Sequence, residues 1–529
     1  MNRSKLLFGL GLLLLFWSCA QQVAPTGGEK DEDPPEIISI EPEQEVLNYE
    51  NEKIVIQFDE FIQMKNLKKN FLSSPPLEHD LETRVRGKRL EIEVIDTLQE
   101  NTTYVFNFGN AIADFHEGNP IEGFTYVFST GNEIDTLSLS GRLVEAFSLE
   151  VVDEAVLMLY DTTDLDSLPF KRLPKYVDRT DKEGRFKLTN LKAGKYVLFA
   201  LSDKNTNYLF DKPDELVAYS DSLILLDDKV DSIKLYGFLE DREKQFVESQ
   251  KENGPLVALV FNKTLSDSID FRFLDTLAAE VLHSYQYSKG RDSLLFWFKE
   301  MDKQEFEVEI TAGEYIDTLE LKADSLPSKS KLEFERGVSV VQDYFRPFQI
   351  EFKRPIKSYD TAFISLRKSD SSLMPYTLIQ DSVRLQNFVF EFDLKEDSSY
   401  FIELFPGAFT DIYGQTLDTT LKRFRVNNRR DFGNLEVRVQ IKDSLPKLLQ
   451  LLDQSGKVLT EEVLSDSSMA FPNLKAGDYG LKLILDRNGN GKWDTGVFAE
   501  RKQAEQVYIY DEKISIRANW DQEIEWVIK

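Results

Sequence analysis

The fold is decided by a repeated stretch, NLKAGKY at residues 190–196, which returns as NLKAGDY at residues 473–479. The same spacing aligns four polar residues of the two copies: Asp203, Asn205, Asn207 and Asp211 fall on Asp486, Asn488, Asn490 and Asp494. Chance does not account for agreement at so many positions, and internal repeats mark duplicated structural units. Residues 136–235 and 432–529 are therefore predicted to be two copies of one module.

A weaker repeat predicts a second kind of module. The stretch IVIQF at residues 54–58 resembles FQIEF at residues 348–352. The match continues along the chain, from Leu98…Tyr104 to Leu394…Tyr400 and from Asp114…Gly118 to Asp411…Gly414. This pairing predicts modules of the second kind at residues 36–132 and 327–428. Residues 243–325 show a similar alternation of apolar and polar residues, and we interpret them as a divergent copy.

Apolar and polar residues alternate through most of the chain after residue 35. Ile54, Ile56 and Phe58 form one such series. A period of two is that of a half-buried antiparallel strand, and turn sequences such as Arg86-Gly87-Lys88 separate the series. We therefore predict an all-β protein, built as a tandem array of antiparallel β-sandwich modules.

Composition excludes several classes of function. The 529 residues include 92 acidic and 64 basic side chains, a net charge of −28. A surface this negative repels phosphate backbones, so no nucleic-acid partner is expected. Three histidines and one cysteine exclude a disulfide framework and cysteine-based zinc sites.

The first nineteen residues predict export and a lipid anchor. Arg3 and Lys5 precede an apolar run at residues 6–17, which is too short to cross a bilayer and is typical of a secretory signal. The only cysteine, Cys19, follows Ser18 in an arrangement that resembles a bacterial lipoprotein signal, where the cysteine becomes the lipid-modified first residue. The alternative is a chance cysteine in an ordinary signal peptide. We interpret residues 1–18 as the signal peptide and residues 19–35 as a flexible tether rich in glycine, proline and charge.

The modules resemble two known families. The strand ending in Phe58-Asp59-Glu60, the loop Asp114…Gly118-Asn119-Pro120-Ile121 and the closing Phe128-Ser129-Thr130-Gly131 are similar to the bacterial Ig-like domain. The later copy departs from this pattern, because Lys353-Arg354-Pro355 replaces the acidic pair. The module with Gly184-x-Phe186 followed by NLKAGKY is similar to the carboxypeptidase regulatory-like, or transthyretin-like, β-sandwich. The whole chain resembles an Ig-like domain-containing lipoprotein of Bacteroidetes type, and neither family implies catalysis.

One kind of loop has the spacing of a metal site. Asp486, Asn488, Asn490 and Asp494 occupy positions 1, 3, 5 and 9 of a calcium-type loop, with Gly491 at position 6. Position 12 is Val497, and Glu500 is a candidate replacement for the missing glutamate. The earlier loop keeps the spacing and has an acid at position 12, through Asp203, Asn205, Asn207, Asp211 and Asp214. Tyr208 there replaces the glycine, which would strain a turn of positive φ. The predicted ligand is structural Ca²⁺, and the alternative is a pair of Asx turns bonded to their own backbone.

Together these observations favour a non-catalytic, lipid-anchored cell-envelope protein of the outer membrane, facing either the periplasm or the surface. Its predicted partners are the membrane, through the anchor, and an envelope protein or glycan that the sequence does not identify. The first alternative is a glycan-binding component of a polysaccharide uptake system. The second is a secreted glycan-degrading enzyme, although no unassigned stretch is long enough for a large catalytic domain. No catalytic residues are predicted, because the G-x-S-x-G motif is absent and 92 acidic residues produce carboxylate pairs such as Asp59-Glu60 by chance.

Overall fold

The computed structural model describes residues 31–265, 269–275, 280–299, 302–326 and 330–528. The predicted signal peptide, Cys19 and the first part of the tether lie outside these residues. The structure is 50% strand and 4% helix, which confirms the all-β array of sandwiches. The chain divides into two compact units, Met1–Leu239 and Glu240–Lys529. The module boundaries predicted within each unit stay predictions.

Residues 31–132 of the first unit form nine strands and one helical turn, α1 (Leu67–Asn70). Their bounds are β1 (Ile37–Glu41), β2 (Ile54–Phe58), β3 (Ile62–Met64), β4 (Leu72–Ser74), β5 (Glu82–Arg86), β6 (Arg89–Glu93), β7 (Thr103–Asn107), β8 (Ile112–Asp114) and β9 (Thr125–Ser129). One sheet has the order β1-β2-β6-β5 and the facing sheet has the order β4-β7-β9, with β3 and β8 paired beside them. The predicted alternation is present in β2, where Ile54, Ile56 and Phe58 are buried and the residues between them are half-buried. These side chains pack with aromatic residues of the facing sheet, such as Phe106 and Phe128, in one core.

A buried carboxylate holds the loop after β8. Asp114 is 1% exposed, and its two oxygens accept hydrogen bonds from the backbone N–H groups of His116, Glu117, Gly118 and Asn119. Burial raises the pKa of the Asp114 carboxyl, but these four donors together hold that pKa below its ordinary value. The carboxylate therefore stabilises the loop that the sequence marks as typical of an Ig-like domain.

Replacing Asp114 with asparagine is expected to destabilise the first module by about 1–2 kcal/mol at neutral pH, because an amide offers one acceptor oxygen in place of two. The folded state binds the Asp114 proton more weakly than the unfolded chain does. Its stabilising contribution is therefore complete above the unfolded pKa of about 3.9 and is lost as the pH falls through the lower folded pKa. The difference between wild type and variant should shrink below about pH 4. Calorimetric scans of the full chain across this range check the result, and a difference independent of pH would contradict it.

The first unit continues with eight strands that carry the repeated sequence. Their bounds are β10 (Leu137–Glu145), β11 (Val156–Asp161), β12 (Tyr176–Arg179), β13 (Arg185–Leu191), β14 (Gly194–Leu201), β15 (Leu216–Tyr219), β16 (Ile224–Leu226) and β17 (Val230–Leu239). The strand order is β12-β11-β14-β15-β17-β10-β13, with β16 paired to β14. Strands β10 and β17 run parallel, and the other pairs are antiparallel. The core contains Leu139, Leu157, Leu198 and their neighbours.

The described residues of the second unit form twenty-five strands in three groups. The first group comprises β18 (Val247–Asn253), β19 (Leu256–Phe261), β20 (Asp270–Phe273), β21 (Leu282–Tyr287), β22 (Ser293–Phe298), β23 (Gln304–Ala312) and β24 (Tyr315–Ala323). The second comprises β25 (Phe334–Arg336), β26 (Val341–Gln342), β27 (Phe348–Phe352), β28 (Ile356–Tyr359), β29 (Ile364–Lys368), β30 (Thr377–Gln380), β31 (Asn387–Glu391), β32 (Ser399–Leu404), β33 (Phe409–Asp411) and β34 (Thr420–Val426). The third comprises β35 (Phe432–Ile441), β36 (Lys447–Asp453), β37 (Val458–Val463), β38 (Ser468–Lys475), β39 (Gly477–Leu485), β40 (Val507–Ile509), β41 (Ile514–Ile516) and β42 (Asp521–Ile528).

The strand orders of these groups repeat those of the first unit. The orders β18-β19-β22-β21 and β25-β27-β31-β30 correspond to β1-β2-β6-β5. In the third group β35 pairs antiparallel with β38 and parallel with β42, as β10 does with β13 and β17. Each group packs its own hydrophobic core. Single-turn 3₁₀ helices occur at Leu165–Ser167, Thr361–Phe363, Arg429–Asp431 and Phe498–Glu500. Among the described residues, no helix is long and apolar enough to span a bilayer.

The structure explains why the repeated stretch keeps its asparagine and tyrosine. Asn190 and Asn473 have φ values of 56° and 59°, in the left-handed region that asparagine tolerates, beside a register shift in each sheet. The Tyr196 hydroxyl donates to the backbone carbonyl of Lys192, four residues earlier in the chain, at 2.8 Å. The Tyr479 hydroxyl donates in the same way to the carbonyl of Lys475, at 2.7 Å. The repeat therefore encodes one bulge and one hydroxyl-capped turn.

Candidate functional site

The two candidate metal loops occupy the same place in their modules. The earlier loop connects β14 to β15, and the later loop connects β39 to β40. In both cases the first aspartate lies just beyond a buried strand, so that the loop begins at the edge of the sandwich. Asp486 is 1% exposed, and Asp203 is half-buried.

The first aspartate of each loop accepts three backbone N–H groups. Asp486 Oδ1 accepts from Gly489 at 2.7 Å and Asn490 at 3.1 Å, and Oδ2 accepts from Gly491 at 2.8 Å. In the earlier loop, Asp203 accepts from residues 205, 207 and 208 at 2.8–3.3 Å. These are the bonds that the Asx-turn alternative requires, and a calcium-type loop uses the same aspartate to close its turn.

The last aspartate of each loop is where the asparagines converge. Asn488 and Asn490 direct their side-chain amides at Asp494 Oδ2, at 2.6 and 2.9 Å. In the earlier loop Asn205 and Asn207 approach Asp211 in the same way, at 2.8–3.4 Å. The structure therefore brings both asparagines of each loop to the carboxylate at position 9, while the first aspartate closes the turn between them; Asp214, the fifth residue predicted for the earlier loop, is exposed and makes none of these bonds.

Position 6 adopts the same backbone conformation in both loops. Gly491 has φ 73° and Tyr208 has φ 58°. Position 4 is also left-handed, with φ 72° at Gly489 and 58° at Thr206. The left-handed conformation costs a non-glycine residue about 1–2 kcal/mol. Tyr208 therefore carries the strain that the sequence predicts for the earlier loop, and Thr206 adds a second strained position that the sequence analysis did not name. The later loop avoids both with two glycines.

A buried glutamate near each loop was missed by the sequence reasoning. Glu215 is 0% exposed and accepts from the N–H groups of Lys204, Asp211 and Lys212 at 3.0–3.2 Å. Glu505 is 2% exposed, and its carboxylate accepts from the N–H groups of Arg487 at 2.6 Å and Asp494 at 3.1 Å. Burial raises the pKa of the Glu505 carboxyl. These glutamates bind the start of each loop to its end.

The glutamates escaped detection because the spacing between the copies changes after the loops. Residues 203–211 align with 486–494 at one offset, whereas seven additional residues precede Glu505. The signal that could have found them is their position next to the start of the following strand. Glu215 directly precedes β15, and one residue separates Glu505 from β40. Two other acids have different places: Asp214 is exposed, and Glu500 lies in the 3₁₀ turn Phe498–Glu500.

The residue types of the loops are those of a hard-cation site, but in this structure the asparagine oxygens are turned to the backbone: Asn488 Oδ1 accepts from the Asn490 N–H at 3.1 Å and Asn490 Oδ1 from the Lys492 N–H at 2.8 Å. Each loop gathers two carboxylates and two amides, and oxygen atoms of these groups are the ligands that Ca²⁺ prefers. In the described part of the chain, no group of three or more His, Cys, Asp or Glu side chains is arranged to hold a metal ion. Coordination in either loop would therefore depend on the asparagine oxygens as well as on the two aspartates.

Comparison with known proteins gives a family for the first module. Residues 31–130 match the family model of the bacterial Ig-like domain. This match covers the described loop around Asp114 and the sheets that surround it, and it agrees with the resemblance drawn from the sequence. No curated protein matches the chain.

The solved structures to which this chain aligns have low sequence identity and low TM-scores. BcpA, the major pilin subunit of Bacillus cereus, is 12% identical, with a TM-score of 0.14 over 75% of this chain and 99% of that one. The S-layer protein rSbsC(31-844) is 11% identical, with a TM-score of 0.16 over 91% of this chain and 67% of that one. SGBP-B of the Bacteroides ovatus mixed-linkage glucan utilization locus, in complex with a mixed-linkage heptasaccharide, is 9% identical, with a TM-score of 0.20 over 73% of this chain and 95% of that one.

Proposed function

We propose that this chain is a non-catalytic, lipid-anchored protein of the outer membrane that presents β-sandwich modules for binding. The tandem arrangement of two kinds of sandwich is the observation that carries this proposal, because duplicated sandwiches extend a binding surface without adding a catalytic centre. The position of the single cysteine, directly after an apolar signal, supports the anchor. A second candidate function, glycan binding, is favoured by a cationic face on the second module.

Contacts between modules support a presenting role within each unit. In the first unit, Ser74 Oγ accepts from the backbone N–H of Val177 at 3.1 Å, and Lys69 forms an ion pair with Glu154 at 3.2 Å. In the second unit, the Tyr413 hydroxyl donates to the carbonyl of Phe298 at 2.9 Å. Such contacts restrict the motion of adjacent modules and hold their loops at defined positions.

Replacement of Cys19 with alanine is expected to release the protein from the membrane. The thiol is the attachment atom in the proposed anchor, and a multi-acyl group contributes about 0.8 kcal/mol per buried CH₂. Fractionation of a Gram-negative host that expresses the full chain measures the result, together with incorporation of an alkyne fatty acid. Gln21→Ala is the matched control and should remain in the membrane fraction. A Cys19→Ala protein that still sediments with the membranes and takes up the label would overturn the anchor.

We also propose that the later loop binds Ca²⁺ and that the earlier loop binds it more weakly. Extracellular modules of this type bind calcium with Kd values of about 10⁻⁴–10⁻³ M. At a hundredfold excess over Kd, the ion would stabilise its module by about 2.7 kcal/mol. Calorimetric titration of the full chain should therefore give heat, and Ca²⁺ should raise the melting temperature of one transition.

Asp494→Ala is expected to abolish the stronger calcium response, because Asp494 is the carboxylate on which both amides converge. Asp211→Ala is the matched variant in the earlier loop and should leave that response in place. If Ca²⁺ gave the wild-type chain neither a heat of binding nor a rise in melting temperature, the proposal would be wrong. The loop would then have only a structural role, through the Asx-turn hydrogen bonds that Asp486 accepts.

A further inference from the structure

A groove on the second module is lined by basic residues in a protein that is otherwise strongly acidic. It has a volume of about 590 Å³ and crosses the outer face of β10, β13 and β17. Its charged lining comprises Arg142, Arg179, Arg185, Lys187 and Lys234, with one acid, Asp181. The net charge of the chain is −28, so this cluster of positive charge is opposite in sign to the charge of the protein as a whole.

Strand register places three of these cations side by side. Arg142 in β10 lies opposite Arg185 in β13 on one side and opposite Lys234 in β17 on the other. Adjacent strands are about 4.8 Å apart, so the row spans about 10 Å. Like charges directly opposite each other destabilise a sheet. The row is therefore unfavourable to the fold in the absence of a compensating anion.

Compensation within the chain is partial. Arg185 pairs with Asp181 at 2.9 Å and with Glu183 at 3.0 Å. Within the described part of the chain, the one hydrogen bond from the Arg142 side chain goes to the backbone carbonyl of Glu183, at 3.1 Å. No ion pair among the described residues includes Arg142, Lys187 or Lys234, and all three are exposed. These three charges remain available to a ligand.

The last module has the same fold without this charge pattern. There Arg438 is equivalent to Arg142, and its neighbours in register are Ser468 and Glu525. Arg438 is compensated by Glu436 at 3.3 Å and by Glu523 at 3.8 Å. The architecture therefore does not require a row of cations, and the row in the second module calls for a different explanation.

The backbone under the cations also differs between the two modules. The pairing of β10 with β17 has a register shift between Leu139 and Gly141, whereas β35 and β42 pair without interruption. A side chain at Gly141 would overlap the carbonyl oxygen of Ile233, and the equivalent residue in the last module is Val437. Bulges of this kind occur next to binding sites, where they change the direction of side chains. The bulge and the cations therefore coincide in one module.

We propose that this cationic face binds a linear anionic polysaccharide through its carboxylate groups, an inference that rests on the binding role proposed above. The row of cations requires a ligand with more than one negative charge, and the planar guanidinium of Arg142 suits a carboxylate. Extended peptides are recognised through main-chain bonds at a sheet edge. At its centre the groove lies on the face of β10, whose main-chain groups are already paired with β13 and β17. It offers ligands side-chain cations and the hydroxyl of Ser232, whereas the Ser140 hydroxyl donates to Asp231 at 2.6 Å.

Polygalacturonate binding by the purified full chain tests the proposal. The variant Arg185→Ser with Lys234→Glu converts the row to the Ser-Arg-Glu pattern of the last module, which that module shows to be compatible with the fold. Calorimetric titration should show binding to wild type and at least a tenfold weaker Kd for the variant. Lys192→Ser with Lys195→Glu has the same change in charge on exposed residues outside the groove and should bind as wild type does.

Three results with charged polymers would overturn the inference. They are no binding of polygalacturonate to wild type, equal weakening by both double variants, and equally tight binding of polyglutamate that the Arg185/Lys234 double variant weakens to the same extent. The last result would assign the groove to an acidic peptide. Neutral dextran should not bind. Dextran binding that persists in the Arg185/Lys234 double variant would also contradict a site that recognises charge. Because the purified chain is used, these outcomes are independent of the Cys19 experiment on anchoring.

Discussion

Arg354→Ala is expected to destabilise the module around residues 327–428 by about 3–5 kcal/mol, because it leaves a buried carboxylate without its counter-ion. Arg354 Nε lies 2.7 Å from Asp411 Oδ2, and the side chains are 14% and 0% exposed. The other carboxylate oxygen accepts from the N–H groups of Tyr413 and Gln415, at 2.9 and 2.7 Å. The guanidinium is in turn held by Ser330 Oγ and by the Lys331 carbonyl, both at 2.6 Å.

The adjacent residue offers a matched control for this prediction. Lys353 pairs with Glu333 at 2.6 Å, but both side chains are more than half exposed. An exposed pair is screened by solvent and contributes little to stability, so Lys353→Ala should have a small effect. Calorimetry of the full chain measures both variants, and hydrogen exchange assigns the altered transition to this module.

A second variant tests whether the buried charge is the cause. Adding Asp411→Asn to Arg354→Ala removes the unpaired negative charge while keeping an oxygen that can accept the two loop N–H groups. The double variant should therefore be more stable than Arg354→Ala alone. Equal effects of Arg354→Ala and Lys353→Ala would contradict the explanation.

The Arg354 pair also shows what alternation in the sequence can predict and what it cannot. Aligning residues 54–58 with 348–352 pairs β2 with β27, which hold the same place in sheets of the same strand order. The alignment also shows Lys353-Arg354 as a departure from Asp59-Glu60. How this replacement of an acidic pair by a basic pair affects the fold depends on which side chains contact these residues in the folded module. Asp114 raises the pKa of the neighbouring Glu60 carboxyl, after the larger effect of burial. In the later copy Asp411 faces a cation instead, and only the structure places the two side chains together.

Strand direction and register were beyond the sequence patterns. The alternation of Ile54, Ile56 and Phe58 predicts which face of a strand is buried. The same alternation is compatible with a parallel or an antiparallel neighbouring strand, so it does not predict strand direction. The parallel pairing of β10 with β17 was therefore not anticipated. The cationic face depends on this pairing, because Arg142, Arg185 and Lys234 lie far apart in the chain and meet only through register.

The candidate loops were partly predictable for a related reason. Asp486, Asn488, Asn490 and Asp494 lie within nine residues, so their spacing alone shows that they can converge. Glu505 lies eleven residues beyond Asp494 and reaches the loop because β40 folds back beside β39. A contact of this kind depends on where the next strand pairs, which the motif does not encode.

Glu215→Ala is expected to destabilise the second module by about 3 kcal/mol or more. Its carboxylate is fully buried and accepts the N–H groups of Lys204, Asp211 and Lys212. Hydrogen bonds to a charged group contribute about 1.5–3 kcal/mol each, and leaving buried N–H groups unpaired costs about 1–3 kcal/mol each. Entry of water into the space left by the side chain reduces the total below the sum of these contributions.

The neighbouring acid provides the control for Glu215. Asp214 is exposed, so Asp214→Ala should change stability by no more than about 0.5 kcal/mol. Glu215→Gln keeps one acceptor oxygen and should fall between the two alanine variants. Hydrogen exchange of the loop amides in the full chain reports the effect locally, since loss of the carboxylate should expose residues 204, 211 and 212 to rapid exchange. If Glu215→Ala left these amides as protected as Asp214→Ala does, the glutamate would not be what closes the loop.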